Sequence, residues 1–328
     1  MQNSDEWRAV HVVGAARVAD GVLELRLADP VGAALADWEP GAHIEVETAA
    51  GIRQYSLCGD RASDYTIAVL DEPLGRGGSR GLHVSAAVGT ELRIRGPRNH
   101  FQLVDDADDY VLIAGGIGIT PIKAMAQHLM ATGRAWRLHY GGRSAASMAY
   151  VDEVRSLDPE RVSVAPHDTD GDLDLAAILS DASPGTVVYC CGPPGLLDAA
   201  AVAVAESGAG ELRIERFTAA TPTTDDPAPG PVAGGVRVGD DTFVVELAAS
   251  GIEVEVGPDT TILEAVRDRL PDVMSSCEDG YCGTCETPVL EGIPEHRDTV
   301  LTPSEQDAND TMMICVGRSR TRRLVLDL

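Results

Sequence analysis

Basic side chains are scarce in these 328 residues: 26 Lys and Arg stand against 52 Asp and Glu, a formal net charge of -26. Binding to a phosphate backbone depends on basic surface, so this balance argues against a nucleic-acid partner. Residues 1–30 lack any apolar run of signal-peptide or membrane-spanning length, and no membrane association is expected. Cysteine is sparse and odd in number, seven over a long chain, which argues against a disulfide framework. These absences predict a soluble, cytoplasmic protein with reduced thiols. No internal repeat is apparent. None of the eight histidines stands in a catalytic setting, and His139 and His167 read as core or surface residues.

The length predicts two or three domains, each large enough to fold without staples. Residues 218–235, TAATPTTDDPAPGPVAGG, have almost no large apolar side chain and many prolines, the composition of an extended interdomain linker. Before it, residues 1–104 read as short strands (VLELRLAD, HIEVET, YTIAVL, ELRIRGP) of a small antiparallel barrel or sandwich. In residues 105–217 the apolar runs YVLIAG, WRLHYGG, RVSVAP and TVVYCCG alternate with helix-like stretches, which predicts a parallel doubly wound sheet. Residues 236–328 begin with a predicted hairpin, DTFVVELAAS and GIEVEVG, followed by the helix-like TILEAVRDRL, and end in strands. This last segment carries 8 basic and 19 acidic residues and is the expected docking face for a basic partner, unless the charge serves solubility alone.

The chemistry concentrates in four places. CEDGYCGTC, residues 277–285, places Cys277, Cys282 and Cys285 as C-x4-C-x2-C, with Cys315 after 29 intervening residues. Zinc sites favour two close pairs and a redox dithiol needs one pair, whereas this spacing is the plant-type 2Fe-2S pattern. Ser275, Ser276, Gly280, Gly283 and Thr284 supply the small residues that a loop wrapped around inorganic sulfide requires. RQYSLCGD, residues 53–60, puts Arg53 and Tyr55 on one side of a strand and Ser56 on the other. GRGGS, residues 75–79, reads as an anion-binding loop with Arg76 and Ser79 as added donors, or else as a plain glycine turn. In YVLIAGGIGITPIKAM, residues 110–125, a buried strand ends at Gly115, Gly116 and Gly118 and opens into a helix, with Thr120 placed to cap it. Pro121 stands where a dinucleotide fingerprint has its third glycine, and Gly141, Gly142, Arg143 and Ser144 follow the next strand in place of an acidic residue, which disfavours an ordinary Rossmann dehydrogenase. Finally, Cys191 ends the buried run VVYCC, where the carboxyl end of a parallel strand would face a ligand crevice.

In this order RQYS, GRGGS, GGIGITP, YCCGPPG, ERF and CEDGYCGTC with its distant fourth cysteine resemble the phthalate dioxygenase reductase family, over roughly residues 8–328. The resemblance implies a multidomain α/β plus β architecture: an FMN-binding antiparallel β-barrel (1–104), an NAD(P)-binding α/β domain (105–217) and, past the linker, a β-grasp 2Fe-2S ferredoxin domain (236–328). It implies that Arg53, Tyr55 and Ser56 contact the flavin, with Ser56 near N5, and that Thr66, Ile67 and Ala68 line its ring and ribityl side. Arg76, Gly77, Gly78 and Ser79 would hold the FMN phosphate. Gly115, Gly116, Gly118 and Thr120 would cradle the nicotinamide nucleotide, Cys191 would approach nicotinamide C4, and Phe217 would cover the flavin face. The implied activity is that of an oxygenase reductase component passing electrons from NADH through FMN and the 2Fe-2S cluster to a separate oxygenase that docks near the cluster domain. The expected acceptor is a Rieske non-haem iron oxygenase of an aromatic hydroxylation or O-demethylation system. The alternatives are a haem-thiolate monooxygenase and a low-turnover redox sensor. Arg143 and Ser144 leave NADPH as the alternative donor, and a monomer is the implied state.

Overall fold

The computed structural model of the protein describes residues 6–60, 64–73, 75, 77–217, 242–271, 273–275, 277–278, 280–301 and 303–328. Arg76, Ser276, Asp279 and the 218–235 segment lie outside the described residues. The chain divides into two compact units, Met1–Phe217 and Thr218–Leu328.

The first unit opens with β1 (Arg8–Ala19), β2 (Val22–Ala28), β3 (His43–Thr48), β4 (Gly51–Ser56) and β5 (Tyr65–Leu70), then α1 (Gly78–Ser85) and β6 (Glu91–Arg98). They form one antiparallel sheet in the order β4-β3-β6-β1-β2-β5. Val10, Val12, Leu25, Leu27, Ile44, Val46, Ile67, Val69 and Ile94 alternate along their strands, and the period of two delivers them to one shared interior. The sheet keeps two edges, β4 and β5, which among the described residues are linked by an isolated bridge between Leu57 and Ile67 and by the Cys58 N–H donating to the Thr66 carbonyl at 3.0 Å. The expected barrel is therefore present as an antiparallel sheet whose edges touch at these two links without forming a closing strand pair.

The same unit continues with β7 (Asp109–Gly115), α2 (Ile119–Ala131), β8 (Trp136–Gly142), α3 (Val151–Leu157), β9 (Val162–Pro166), α4 (His167–Asp170), α5 (Leu175–Ile178), β10 (Thr186–Cys191), α6 (Pro194–Glu206) and β11 (Glu211–Glu215). The sheet is parallel throughout, in the order β11-β10-β7-β8-β9. Both faces are buried, as the near-continuous apolar strands require. Tyr110, Leu112 and Ala114 of β7 face α2 and α3, while Val111 and Ile113 face α5 and α6. Chain direction across the sheet reverses between β7 and β10, which puts the ligand crevice of a doubly wound sheet at their carboxyl ends. One hydrophobic cluster joins the two sheets, because Val22, Cys58 and Ala68 of the antiparallel half pack with Ile119, Ile122, Tyr150 and Cys191 of the parallel half.

The second unit contains β12 (Phe243–Leu247), β13 (Ile252–Val256), α7 (Ile262–Arg267), β14 (Glu286–Glu291), β15 (Pro294–Glu295), α8 (Pro303–Ala308), β16 (Thr311–Met313), β17 (Arg318–Ser319) and β18 (Arg323–Leu326). Its mixed sheet runs β13-β12-β18-β14-β16, with β15 and β17 paired separately. The predicted β12–β13 hairpin is present. A reciprocal capping box starts α7: the Glu264 N–H donates to Thr261 Oγ1 at 3.1 Å and the Thr261 N–H to Glu264 Oε2 at 2.9 Å. Such a cap adds about 1 kcal/mol to a short helix.

Candidate functional site

The cysteine loop is built on the core of the second unit. Cys285 and Cys315 belong to the same buried cluster as Phe243, Ile262, Leu263 and Met313. Cys277, Cys282, Cys285 and Cys315 are all buried and none is in a disulfide. Cys277 is hydrogen-bonded to Cys282 and to Cys315, and Cys315 to Cys285, so the four thiols form one connected group. Those bonds raise the Cys282 and Cys315 thiols, while the bond from Cys315 lowers that of Cys285. Among the described residues no three His, Cys, Asp or Glu side chains converge on a single metal ion. A 2Fe-2S cluster shares its four thiolates between two irons and needs no such convergence, so the donor set fits it.

The loop's shape follows from its residues. Gly280 has φ +72, and a Cβ there would lie 2.6 Å from Val316 Cγ2 and 3.2 Å from the Asp298 Cα, so only glycine fits. Thr284 Oγ1 lies 3.3 Å from Cys282 Sγ, a hydroxyl beside a ligand sulfur. Arg267, in the last turn of α7, donates to Ser275 Oγ at 2.8 Å and pairs with Glu278, which ties the helix to the loop. Cys315 was expected on a strand and instead sits in the turn after β16, since the backbone leaves the ladder to bring its sulfur to the other three.

At the antiparallel sheet, α1 starts within the GRGGS segment, which carries no helical period of its own. Gly77 precedes it at φ +91, and among the described residues no side chain caps its N-terminus, which leaves N–H groups available for an anion. Arg53 packs against this terminus: a Cβ on Gly78 would lie 2.7 Å from Arg53 Nε. Its guanidinium donates to the Ile52 and Ala50 carbonyls at 2.7 and 2.9 Å. Ser79 Oγ accepts the Glu72 N–H at 3.2 Å. On β4, Tyr55 packs against the sheet interior with its phenol pushed up by burial. Ser56 is 5% exposed, and its hydroxyl has no hydrogen-bond partner among the described residues. An orphaned buried hydroxyl is costly unless a ligand engages it, which suits a flavin edge. The three β5 residues diverge: Ile67 points into the sheet's interior, whereas Ala68 faces the shared cluster between the sheets and Thr66 is half-buried.

At the parallel sheet, Gly115, Gly116 and Gly118 leave β7 through one 3-10 turn into α2. A Cβ on Gly118 would lie 2.2 Å from the Cys191 carbonyl oxygen, and one on Gly192 would lie 2.9 Å from the Gly115 Cα. The two loops at the switch point thus meet backbone to backbone, with the Leu196 and Pro193 side chains packed against Gly115. The expected Thr120 cap is absent: Gly118 holds the cap position, and the buried Thr120 hydroxyl donates to the Ile117 carbonyl at 3.0 Å. The 3-10 turn starts the helix early and places Thr120 inside it. After β8, Arg143 is exposed, but the Ser144 hydroxyl and N–H are both engaged by Ser147 Oγ, at 3.2 and 3.1 Å.

Cys191 is completely buried, and its Sγ lies 3.9 Å from Glu215 Oε2. Burial holds the Glu215 carboxyl up at about 8, so it is protonated at neutral pH, and burial with Glu215 nearby pushes the Cys191 thiol up. Phe217 packs against the same cluster as Cys191. His139 is partly buried and pulled down to about 4 by desolvation, and His167 is exposed beside Asp172. A separate cleft of about 410 Å3, bordered by Trp38, Arg98 and Gln102, includes none of the candidate residues.

Residues 245–319 match the family model of the 2Fe-2S iron-sulfur cluster binding domain, and residues 90–214 match that of the dimethylamine monooxygenase subunit DmmA-like N-terminal domain. The phenoxybenzoate dioxygenase subunit beta of Ectopseudomonas oleovorans is 42% identical over 315 residues, 94% of each chain. A crystal structure of an intact type IV self-sufficient cytochrome P450 monooxygenase is 42% identical with a TM-score of 0.84; the match covers 98% of this chain and 41% of that one. The phthalate dioxygenase reductase of Burkholderia cepacia is 35% identical over 332 residues, 99% of this chain and 98% of its own. Given that likeness along both units, together with the buried four-thiol group, the chain is an oxidoreductase of the phthalate dioxygenase reductase family.

Proposed function

We propose that the protein is a cytoplasmic reductase component that takes electrons from NADH and delivers them to a separate Rieske non-haem iron oxygenase of an aromatic hydroxylation or O-demethylation system. The carrying observation is the four-thiol group in a 2Fe-2S domain that shares its chain with a nucleotide-type switch point. When bound, FMN accepts hydride and releases electrons singly, and the cluster relays them one at a time.

The residues divide the work. Arg53 and the uncapped start of α1, with Gly77, Gly78 and Ser79, hold the phosphate. Tyr55 and Ser56 would contact the flavin ring, to which Ser56 would offer a buried hydroxyl left without a partner among the described residues. The Gly115–Gly118 turn receives the dinucleotide, and Cys191 positions the nicotinamide and, with Phe217, excludes water. Engagement of Ser144 by Ser147 leaves Arg143 as the one group of that pair available to a 2′-phosphate, which supports NADH over NADPH. Cys277, Cys282, Cys285 and Cys315 ligate iron, and the partner docks at the rim of their loop.

A haem-thiolate acceptor is the second reading, favoured by the 42% identity to a self-sufficient P450. Stopped-flow mixing of the reduced protein with one oxygenase of each type separates the two. Purified protein with full flavin and iron should reduce ferricyanide and cytochrome c with NADH, and failure with both NADH and NADPH overturns the reductase reading.

A further inference from the structure

A polar chain crosses the otherwise apolar seam between the two sheets of the first unit. Lys123, in the second turn of α2, is 4% exposed. Its ammonium pairs with Glu153 of α3 and lies 3.8 Å from the centroid of the Tyr150 ring. The Tyr150 hydroxyl donates to Glu24 Oε2 on β2 at 2.8 Å and lies 3.6 Å from Cys58 Sγ. Burial, with Cys58 and Glu24 adjacent, raises the phenol, so it acts as a donor throughout the working range. Tyr150 holds φ +63, a left-handed backbone that a bulky residue adopts only where its surroundings impose it.

Both ends of this chain abut the site. Lys123 is on the helix that begins at the Gly115–Gly118 turn. Glu24 is the register partner of Ala68, and Cys58 donates its N–H to the Thr66 carbonyl. A buried ammonium is tolerated only when paired, so α2 cannot slide relative to α3 and β2 without breaking the pairing. We infer that Lys123, Tyr150 and Glu24 form a positioning latch that sets the nucleotide turn against the flavin-lining strand β5, and so sets the approach of nicotinamide to flavin. The inference rests on the reading of these two segments as the flavin and nucleotide sides.

Lys123→Met, Lys123→Arg and Tyr150→Phe, each isolated with flavin bound, test it by anaerobic stopped-flow at saturating NADH. Lys123→Met and Tyr150→Phe should reduce flavin about tenfold more slowly, the scale that a displacement of under 1 Å can produce. The long-wavelength absorbance of a stacked nicotinamide and flavin should weaken, with NADH affinity and flavin content nearly unchanged. Lys123→Arg should retain most of the rate. Tyr150→Phe removes a single oxygen and carries the test if Lys123→Met does not fold. Unchanged rate and absorbance, or Lys123→Arg as impaired as Lys123→Met, overturns the latch. Reduction of the wild-type flavin by NADH in the same experiment tests the electron route independently.

Discussion

At the scale of single residues, the proposed delivery of electrons to an acceptor turns on four buried thiols, the iron ligands proposed above. Cys277, Cys282, Cys285 and Cys315 follow from an interval pattern, and their thiols do form one buried group. Cys277→Ser or Cys315→Ser should abolish electron delivery to the oxygenase and to cytochrome c while ferricyanide reduction by NADH is largely kept, because flavin alone serves that acceptor; equal loss of all three would make the cluster domain more than an outlet. Glu215 was visible in ERF, yet nothing local predicts that partial burial beside Cys191 raises its carboxyl. Its native value near 8 lies above the ordinary carboxyl value of 4.5, so between these limits the unfolded chain releases a proton that the native protein keeps. Stability therefore falls as pH rises from about 5 to about 8, then levels. Glu215→Gln should flatten that part of a melting-temperature profile relative to wild type, and parallel profiles would refute the raised carboxyl.

Among the elements, strands and long helices were read from periodicity, whereas short-range geometry redirected their ends. Helix α2 was legible as the helix that opens after YVLIAGGIG, but the 3-10 turn of Gly116–Gly118 moved its start and cost Thr120 the capping role. Helix α1 was not legible at all, because GRGGS carries no helical period and the helix is held by tertiary contacts, with Leu82 buried in the sheet's interior and His83 Nε2 2.8 Å from the Val69 carbonyl oxygen. The latch was equally hidden, since Tyr150 and Glu24 are 126 residues apart in sequence. Steric fit at the switch point gives a prediction of opposite signs. Gly118→Ala drives a Cβ into the Cys191 carbonyl and should cost about 1–3 kcal/mol in urea unfolding, with weaker NADH binding. Gly195→Ala, in the first turn of α6 with nothing within 4 Å, should be neutral or stabilising by about 0.4–1 kcal/mol. A Gly118→Ala protein as stable as wild type would mean that the two loops can separate without loss.

Across the whole molecule, the net charge of -26 acts on every acceptor, whichever oxygenase is the partner. A protein this acidic attracts basic cytochrome c and repels the ferricyanide trianion, so salt should slow the first reaction and not the second. Raising ionic strength from about 0.01 M to about 0.1 M shortens the screening length from about 30 Å to about 10 Å. Over that range cytochrome c reduction should slow several-fold, while ferricyanide reduction should hold steady or accelerate. Cys315→Ser separates field from route: it should remove the cytochrome c reaction and leave the salt response of ferricyanide intact, because the charge pattern survives loss of the cluster outlet. If neither wild-type rate responds to salt, the acidity serves solubility and docking must rest on the shape and apolar contacts of the loop rim.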